Sequence, residues 1–196
     1  MSKSLSTPQP KQITINGTQY SLLAFYYPGY NEAWDNTYQA PFMGNFYPSV
    51  FSMTIDTITG TFHNAEAAFQ ATKWWKNDAA RTQFENALTG NEAFHIKKGL
   101  SKPDYSYCKL GRDGAMLKVV TEKFALPEFK KGLLASGDAY LLEHNAIKGR
   151  DNYWSDDHDG TGTNMLGITL MDVRSILGGE GVPGGNYTVK DFTQYI

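Results

Sequence analysis

A run of apolar residues near the C-terminal end most constrains the fold, because it repeats with the period of a helix. Four positions recur at i, i+4, i+7 and i+11, namely Leu166, Leu170, Val173 and Leu177. This spacing places their side chains in one stripe along an α-helix. Asn164 is a favourable N-cap residue, and Gly178 directly follows the last apolar position. The sequence therefore predicts a helix with one buried face over residues 164–177.

The segment that leads into this helix, residues 151–164, is acidic and contains two glycines. It carries four aspartates, one histidine and one tryptophan beside Gly160 and Gly162. Glycines let backbone N–H groups approach a ligand, and a helix N-terminus attracts negative charge. The loop is therefore a candidate site for a polar, anionic ligand. A surface loop rich in Asp and Gly that binds no ligand is the alternative, and pattern alone does not decide between the two.

Two common loop motifs are excluded by spacing. If Gly160 held position 6 of a calcium loop, Ser155 would stand at position 1 and Leu166 at position 12, where the motif requires acids. The spacing of Gly160, Gly162 and Gly167 fits neither the dinucleotide motif nor the Walker motif. The histidines His63, His95 and His158 also lack metal-ligand spacing, so we predict neither a metal site nor a cofactor.

Length and composition fit a single domain. The chain has 196 residues, of which 41% are hydrophobic, enough for a real core. With 18 basic and 20 acidic residues the net charge is −2, without the basic excess of a general nucleic-acid binder. The lone Cys108 excludes an intrachain disulfide, and no apolar run reaches membrane-spanning length. Since the first residues also lack the apolar region of a signal peptide, we expect a soluble, cytoplasmic protein.

The pattern along the chain predicts an α+β fold with a helix-rich middle. A β-hairpin is expected around Asn16-Gly17, and a second β pair over 50–62 that turns at Thr59-Gly60. Helices are expected over 65–76 after an Asn64 cap, 78–89 ending at Gly90, 91–98, 113–125 with an Asp113 cap, and from Pro127 to Gly137. Short strands are expected at 140–144 and 187–189.

The helix that begins at Ala65 carries a second candidate site. Glu66, Gln70 and Lys73 are spaced i, i+4 and i+7, so they lie along one face. If this face lined a pocket, Glu66 would be a candidate general acid or base. Lys73 would then keep Glu66 ionised or bind phosphate. The alternative is a solvated polar stripe, which is the commoner use of a charged helix face.

Two further segments contain residue types suited to a nucleotide. Asn45, Phe46 and Tyr47 combine a side-chain amide with aromatic rings, which suits stacking and edge recognition of a heterocycle. Arg112 follows a glycine at a predicted helix start, where it is suited to binding phosphate. Taken alone, the first segment is better explained as an aromatic turn of the core. The second segment alone is weak evidence for phosphate binding. Cys108 has no catalytic context, and we expect it to be a packing residue.

Read in order, these segments resemble the NADAR family, which includes the YbiA-like N-glycosidases. The resemblance covers about residues 44–177 and rests on the ordered set of motifs rather than on any one of them. The motifs are Gly44-Asn-Phe46, Glu66-Ala-Ala-Phe-Gln-Ala-Thr-Lys73, Gly111-Arg112, Met116 with Lys123-Phe124, Leu133-Leu-Ala-Ser-Gly137, Leu141-Leu-Glu-His144, Asp151-Asn-Tyr-Trp154, Gly160-Thr-Gly-Thr-Asn-Met-Leu-Gly167 and Leu170-Met-Asp-Val-Arg174. Two departures concern the site: Ala65 and Ala67 replace the family's Ser and His, and Ser155 replaces its Gly.

The resemblance implies a single helix-rich α+β domain of the NADAR type, with short β-strands and an added N-terminal β-hairpin. We expect a disordered lead over 1–10, the hairpin and an irregular extension over 11–43, and the catalytic domain over 44–177. A glycine-rich tail over 178–196 would then pack on or beside that domain.

The implied function is hydrolysis of the C1′–N bond of a ribosylated base, of the ADP-ribosyl-guanine or phosphoribosylamino-pyrimidine type. The partner would be a nucleotide or ADP-ribosyl small molecule, or a modified base on nucleic acid. No membrane partner is expected. The implied catalytic residues are Glu66 and Asp151. The implied substrate-binding residues are Asn45, Phe46, Tyr47, Gln70, Lys73, Arg112, Glu143, Trp154, Gly160, Gly162 and Asn164. Because of Ala65 and Ala67, a binding module that sequesters ADP-ribose without cleaving it is the alternative. The oligomeric state is left open.

Overall fold

A computed structural model describes residues 5–27 and 32–196. The first four residues of the expected lead and part of the expected extension, 28–31, lie outside these ranges. The chain forms two compact units. We call Met1–Gly44 together with Pro127–Ile196 the terminal unit, and Asn45–Leu126 the central unit.

The described residues form an α+β fold of eight α-helices and five short strands. In chain order these are β1 (Lys11–Ile15), β2 (Thr18–Phe25), α1 (Ala33–Tyr38), β3 (Pro48–Ile55), β4 (Ile58–Asn64), α2 (Ala65–Ala71), α3 (Asp78–Glu85), α4 (Gly90–Gly99), α5 (Gly111–Ala125), α6 (Pro127–Leu134), β5 (Tyr140–Glu143), α7 (Met165–Ile176) and α8 (Val189–Thr193). Short 3-10 helices span Pro41–Met43 and Thr72–Trp74. The predicted fold class is confirmed.

A three-stranded sheet of order β1-β2-β5 organises the terminal unit. Strands β1 and β2 are antiparallel and turn at Asn16 and Gly17, whose φ angles are 50° and 79°, so the predicted hairpin is confirmed. Strand β5 joins β2 in parallel, with Phe25 opposite Glu143 at the last pair. Because the two strands run in the same direction, the residues that follow them leave the sheet at the same edge.

Helix α7 packs on β5 through the predicted apolar stripe. Leu166, Leu170 and Val173 are fully buried, whereas Leu177 follows the helix and is partly exposed. Asn164 occupies the N-cap position of α7 as predicted, but its side chain does not cap the helix and its backbone is left-handed, with φ 53°. The Asn164 amide bonds instead to the neighbouring strand, whose buried backbone polar groups need hydrogen-bond partners.

The amide of Asn164 joins the start of α7 to strand β5. Its Nδ2 donates to the carbonyl oxygen of Leu141 at 2.9 Å and to the hydroxyl of Tyr140 at 3.2 Å. Its Oδ1 accepts from the backbone N–H of Glu143 at 2.9 Å. Asn164 is completely buried, and both ends of its amide are occupied within the terminal unit.

The glycine-rich tail is attached through Arg174, which is fully buried. Its guanidinium donates to the carbonyl oxygens of Glu180 (2.6 Å) and Gly181 (3.0 Å) in the tail. Further along, the Phe192 ring stacks on Tyr140 at 3.8 Å between centroids. The expected strand at 187–189 is wrong: these residues lead into helix α8, which begins with a capping box between Thr188 and Asp191.

The central unit begins with the β3–β4 hairpin, which confirms the second β pair but not its turn. The chain turns at Asp56 and Thr57, and Asp56 adopts a left-handed φ of 54°, which aspartate tolerates in turns. Gly60 lies inside β4 instead. A Cβ at that position would come within 2.8 Å of the Glu85 carboxylate and the Phe62 ring, so close packing explains this glycine.

In the central unit, every α-helix except α5 begins after a residue whose side chain caps it. Asn64 caps α2 as predicted, because its Oδ1 accepts from the N–H of Ala67 at 2.8 Å. Gly90 does not end a helix as predicted but begins α4, which Thr89 caps. Helix α5 starts at Gly111 with no side-chain cap, so the predicted cap at Asp113 is wrong and that residue lies in the first turn.

Among the described residues, none of the helices combines the length and the apolar character needed to cross a membrane.

We predict that Gly167→Ala lowers the free energy of unfolding by about 1–3 kcal/mol, because a Cβ there would overlap the Leu141 carbonyl oxygen and the Asn164 amide. Chemical denaturation measures the change. The matched control is Gly184→Ala, whose Cβ would meet nothing within 4 Å. Equal stability of the two variants would contradict the close contact between α7 and β5.

Candidate active site

Helix α2 and the 3-10 helix that directly follows it carry a buried chain of three polar side chains. The Lys73 ammonium donates to Gln70 Oε1 at 2.8 Å, and Gln70 Nε2 donates to Glu66 Oε1 at 2.8 Å. All three side chains are at most 8% exposed. The alternative of a solvated polar stripe is therefore excluded, and the predicted common face of these residues is confirmed.

The charge on Lys73 is held in an unfavourable environment. Its pKa is lowered from 10.5 to about 8, first by burial and then by the nearby Lys97, whereas Glu66 acts to raise it. The ammonium also lies 5.5 Å from the ring centroids of both Phe69 and Tyr107. Ring faces attract cations, so these contacts offset part of the desolvation. A lysine with a pKa near neutrality inside a carboxylate network is a common feature of functional sites.

Asn45 lies at the start of the same helix. Its carbonyl oxygen accepts from the N–H of Glu66 at 3.0 Å, and its Nδ2 donates to Met116 Sδ at 3.4 Å. Within the described residues, the buried Oδ1 of Asn45 has no hydrogen-bond partner. A buried acceptor of this kind requires a ligand or a water molecule. A backbone hydrogen bond thus joins Asn45 directly to Glu66.

Three other predicted residues belong to the central unit, namely Phe46, Tyr47 and Arg112. Phe46 is half-buried and packs against Gly90, where a Cβ would overlap its ring. Tyr47 is half-buried as well. Arg112 is exposed, and its Nε lies 3.5 Å from Asp113 Oδ1. Its charge nevertheless acts on Tyr107, where it opposes the rise in the phenol pKa that burial causes.

A cleft of about 360 Å³ opens within the central unit beside the 3-10 helix Thr72–Trp74. Of the predicted site residues, only Lys73 lines it. Its walls are Lys73, Trp74, Trp75, Lys76, Asn77, Ser101, Lys102, Asp104 and Cys108. The cleft shows that the chain around Lys73 is accessible from solvent on the side of the 101–108 segment.

In the terminal unit, backbone N–H groups of the acidic loop donate hydrogen bonds to carbonyl oxygens of the same loop. The N–H groups of Gly160 and Gly162 both donate to the carbonyl oxygen of Asp156 at 3.0 Å, and that of Asn164 donates to Ser155 at 3.0 Å. The N–H groups of Met165 and Leu166, at the helix start, donate to Tyr153 and Trp154. Carbonyl oxygens of the chain thus already accept from the N–H groups that the predicted anion site would use.

Close packing explains the two loop glycines instead. A Cβ on Gly162 would lie 2.6 Å from the carbonyl carbon of Asp156. Gly160 has a positive φ of 81°, and a Cβ there would lie 2.8 Å from the Lys190 side chain. Both positions need glycine so that the loop can fold back on itself and against the start of α8.

The four loop aspartates accept hydrogen bonds from within the terminal unit. Asp151 Oδ1 accepts from the N–H groups of Tyr153 (3.0 Å) and Trp154 (2.9 Å), and Asp157 Oδ1 accepts from Gly149 at 2.8 Å. Asp159 forms an ion pair with Lys148. These contacts explain the acidity of the loop without a ligand.

Asp156 has the most buried carboxylate of the loop. Its Oδ2 accepts from Thr193 Oγ1 at 2.8 Å and is 2.7 Å from His144 Nδ1, and its Oδ1 accepts from the N–H of His158 at 2.8 Å. The side chain is completely buried. Asp156 therefore links the loop to β5 and to helix α8.

Two residues near the shared edge of β2 and β5, Tyr26 and Arg150, were not predicted from the sequence. Tyr26 directly follows β2, and its pKa is raised to about 12, mainly by burial; Arg150 acts to lower this pKa, whereas Glu143 and Asp151 act to raise it. The Arg150 guanidinium is 6.0 Å from the Tyr26 ring centroid. The predicted residues Glu143 and Asp151 thus act on the same phenol. Ligands of α/β sheets often bind beyond the carboxyl ends of parallel strands, but the sequence did not show that β2 and β5 are parallel neighbours.

Trp154 is half-buried beside Asp151, and its ring meets Tyr153 edge-on at 5.0 Å. Its backbone N–H is held by the Asp151 carboxylate, which fixes the position of the residue. Within the described part of the chain, no group of three or more His, Cys, Asp or Glu side chains is arranged to hold a metal ion.

Comparison with known proteins identifies the domain. The sequence model of the NADAR domain matches residues 31–178. N-glycosidase YbiA of Shigella boydii is 31% identical over 118 residues, which are 60% of this chain and 71% of that protein. A riboflavin biosynthesis protein of Vibrio vulnificus is 33% identical over 140 residues, 69% of this chain and 35% of that protein. The NMR structure of Escherichia coli YbiA superimposes with a TM-score of 0.59 at 26% identity, over 80% of this chain and 84% of that one.

We predict that Asp156→Ala lowers the free energy of unfolding by about 3 kcal/mol, because two buried donors, on His144 and Thr193, and the part-buried N–H of His158 would lose their acceptor. Thermal and chemical denaturation measure the change. Asp159→Ala is the control in the same loop and should have a clearly smaller effect, since its partners are solvent-exposed. If the two variants were equally stable, the structural role of Asp156 would be wrong.

Proposed function

Because the chain belongs to the NADAR family, we propose that it is an N-glycosidase that hydrolyses the C1′–N bond of a ribosylated base. The family and the named relatives support a glycosidase-type role. The observation that carries the proposal is the buried carboxylate of Glu66, bonded to Gln70 and thereby to Lys73. A carboxylate in this setting is suited to the chemistry of glycoside cleavage.

Cleavage of an N-glycosidic bond passes through a ribose with oxocarbenium character. Glu66 would accept a proton from the attacking water as its oxygen bonds to C1′, while the C1′–N electron pair leaves with the base. The hydrogen bond from Gln70 and the charge of Lys73 favour the ionised form of Glu66.

Asp151 is the second proposed catalytic residue, near the ribose or the departing base. Its Oδ1 is occupied by the backbone of Tyr153 and Trp154, so Oδ2 is the oxygen that would reach the substrate. Its position beside Tyr26 and Glu143, at the carboxyl ends of two parallel strands, supports the assignment. Trp154 would stack on the base.

The proposed substrate is an ADP-ribosyl-guanine or a phosphoribosylamino-pyrimidine. Lys73 and Arg112 are the cations proposed to bind phosphate, and Asn45 offers a buried acceptor for a base or sugar hydroxyl. Gly160, Gly162 and Asn164 have no direct part in this proposal, because their donors are used inside the terminal unit.

A second candidate is a module that binds ADP-ribose and releases it unchanged. Ala65 and Ala67 are both completely buried beside Glu66, so neither neighbour offers a side-chain hydrogen bond to the carboxylate. This observation favours a weaker catalyst or a binder. Stoichiometric capture, with intact ligand recovered after denaturation, would support the binder, whereas released base with free sugar phosphate would exclude it.

We predict that Glu66→Gln reduces kcat at least about 100-fold, because the amide cannot accept the proton of the attacking water. Release of base from a panel of ADP-ribosyl and phosphoribosyl glycosides, followed by chromatography, measures the loss. Glu122→Gln is the control, since that carboxylate pairs with Lys118 elsewhere in the central unit. Full activity of Glu66→Gln with an intact fold would show that the assignment is wrong.

We also predict that activity falls as the pH rises through about 8. The Lys73 ammonium has a pKa of about 8, so above this pH it loses the proton that binds phosphate and favours ionised Glu66. A kcat/KM profile between pH 6 and 10 would show this alkaline limb. Lys73→Arg should move the limb to higher pH, because a guanidinium stays charged over this range. An unchanged limb in that variant would assign it to another group.

A further inference from the structure

Three consecutive residues after helix α4 adopt left-handed backbone angles. Tyr107, Cys108 and Lys109 have φ values of 52°, 55° and 68°, and none of them is glycine. Each such residue costs on the order of 1–2 kcal/mol relative to a right-handed conformation. Conformations of this kind persist only where the surrounding structure enforces them, and they concentrate at functional sites.

Asp104 enforces this turn. Its Oδ1 accepts from the N–H of Ser106 at 2.8 Å, its Oδ2 from that of Cys108 at 3.2 Å, and its carbonyl oxygen from that of Tyr107 at 3.0 Å. Its own N–H donates to the carbonyl oxygen of Lys73 at 2.7 Å. The turn is therefore attached directly to the backbone of Lys73.

The turn places the Tyr107 ring against the Lys73 side chain. That ring is 8% exposed and stacks on Phe69, with 5.6 Å between centroids and an angle of 27° between planes. Both centroids are 5.5 Å from Lys73 Nζ. The neighbouring Tyr105, by contrast, is 73% exposed.

We propose that Tyr107 is a positioning residue that, with Phe69, holds the Lys73 ammonium in place for the reaction. Two aromatic faces attract the charge, and the Gln70 oxygen fixes its direction. The charged groups that act on the ammonium are Glu66 on α2, which favours it, and Lys97 on α4, which opposes it. With these two charges in place, substituting either ring changes the environment of the ammonium without changing formal charge.

The test measures the protonation of Lys73 in the ligand-free protein. NMR titration of the Lys73 Cε–Hε signals, assigned by their loss in Lys73→Arg, gives the pKa. In Tyr107→Leu this pKa should fall by about half to one unit, because one ring face no longer stabilises the cation. Tyr107→Phe keeps the ring and should match the wild type, as should Tyr105→Leu, the control in the same segment.

Activity gives a second readout, and this part rests on the proposed function. The alkaline limb of the kcat/KM profile should move to lower pH in Tyr107→Leu by the same amount as the NMR pKa. If the protein proved to have no glycosidase activity, the titration would still test the contact between Tyr107 and Lys73, so the two failures are distinguishable.

A purely structural role for Tyr107 would give a different pattern. Tyr107→Leu would then lower the thermal unfolding midpoint while the Lys73 pKa stayed at its wild-type value, and the proposal would be overturned. If Tyr107→Leu does not fold, Phe69→Leu removes the other ring face and should lower the Lys73 pKa in the same way. An unchanged pKa in folded Phe69→Leu would likewise overturn it.

Discussion

Buried polar groups must find partners inside the protein, and this requirement organises both units. In the terminal unit, the completely buried Asp156, Asn164 and Arg174 bond the acidic loop, strand β5 and the C-terminal tail to one another. In the central unit, Lys73 donates a hydrogen bond to Gln70, and Gln70 donates one to Glu66. An unpaired group in any of these positions would cost free energy comparable to a large share of total stability.

This requirement separates two kinds of acidic residue that look alike in the sequence. The carboxylates of Asp156 and Asp157 accept hydrogen bonds from the loop and from the segments packed against it, so they hold the loop in place. Glu66 lies on a helix whose backbone is already satisfied, and its carboxylate is bonded to a side chain, Gln70. A buried carboxylate that is linked through a side chain to a buried lysine is the better candidate for proton transfer.

The loop that first suggested an anion site thus serves chiefly as a scaffold. Its carbonyl oxygens occupy the donors at the start of α7, and the ion pair between Lys148 and Asp159 adds a surface contact. Asp151 and Trp154 are held at its first turn, next to Tyr26 and Glu143 at the strand ends. A loop made rigid by its own hydrogen bonds commonly supports a few binding or catalytic residues.

Local patterns in the sequence determined the helices α2 and α7, the Asn64 cap, the first hairpin and the common face of Glu66, Gln70 and Lys73. These features depend on residues a few positions apart, whose spacing fixes their geometry. The pairing of β2 with β5, the amide of Asn164 and the turn at Asp56 were decided only by the tertiary structure. Each depends on which distant donor, acceptor or side chain lies alongside, and periodicity carries no information about that. For the same reason the sequence named Lys73 but not Tyr107, whose ring reaches the ammonium only through a left-handed turn that no local preference predicts.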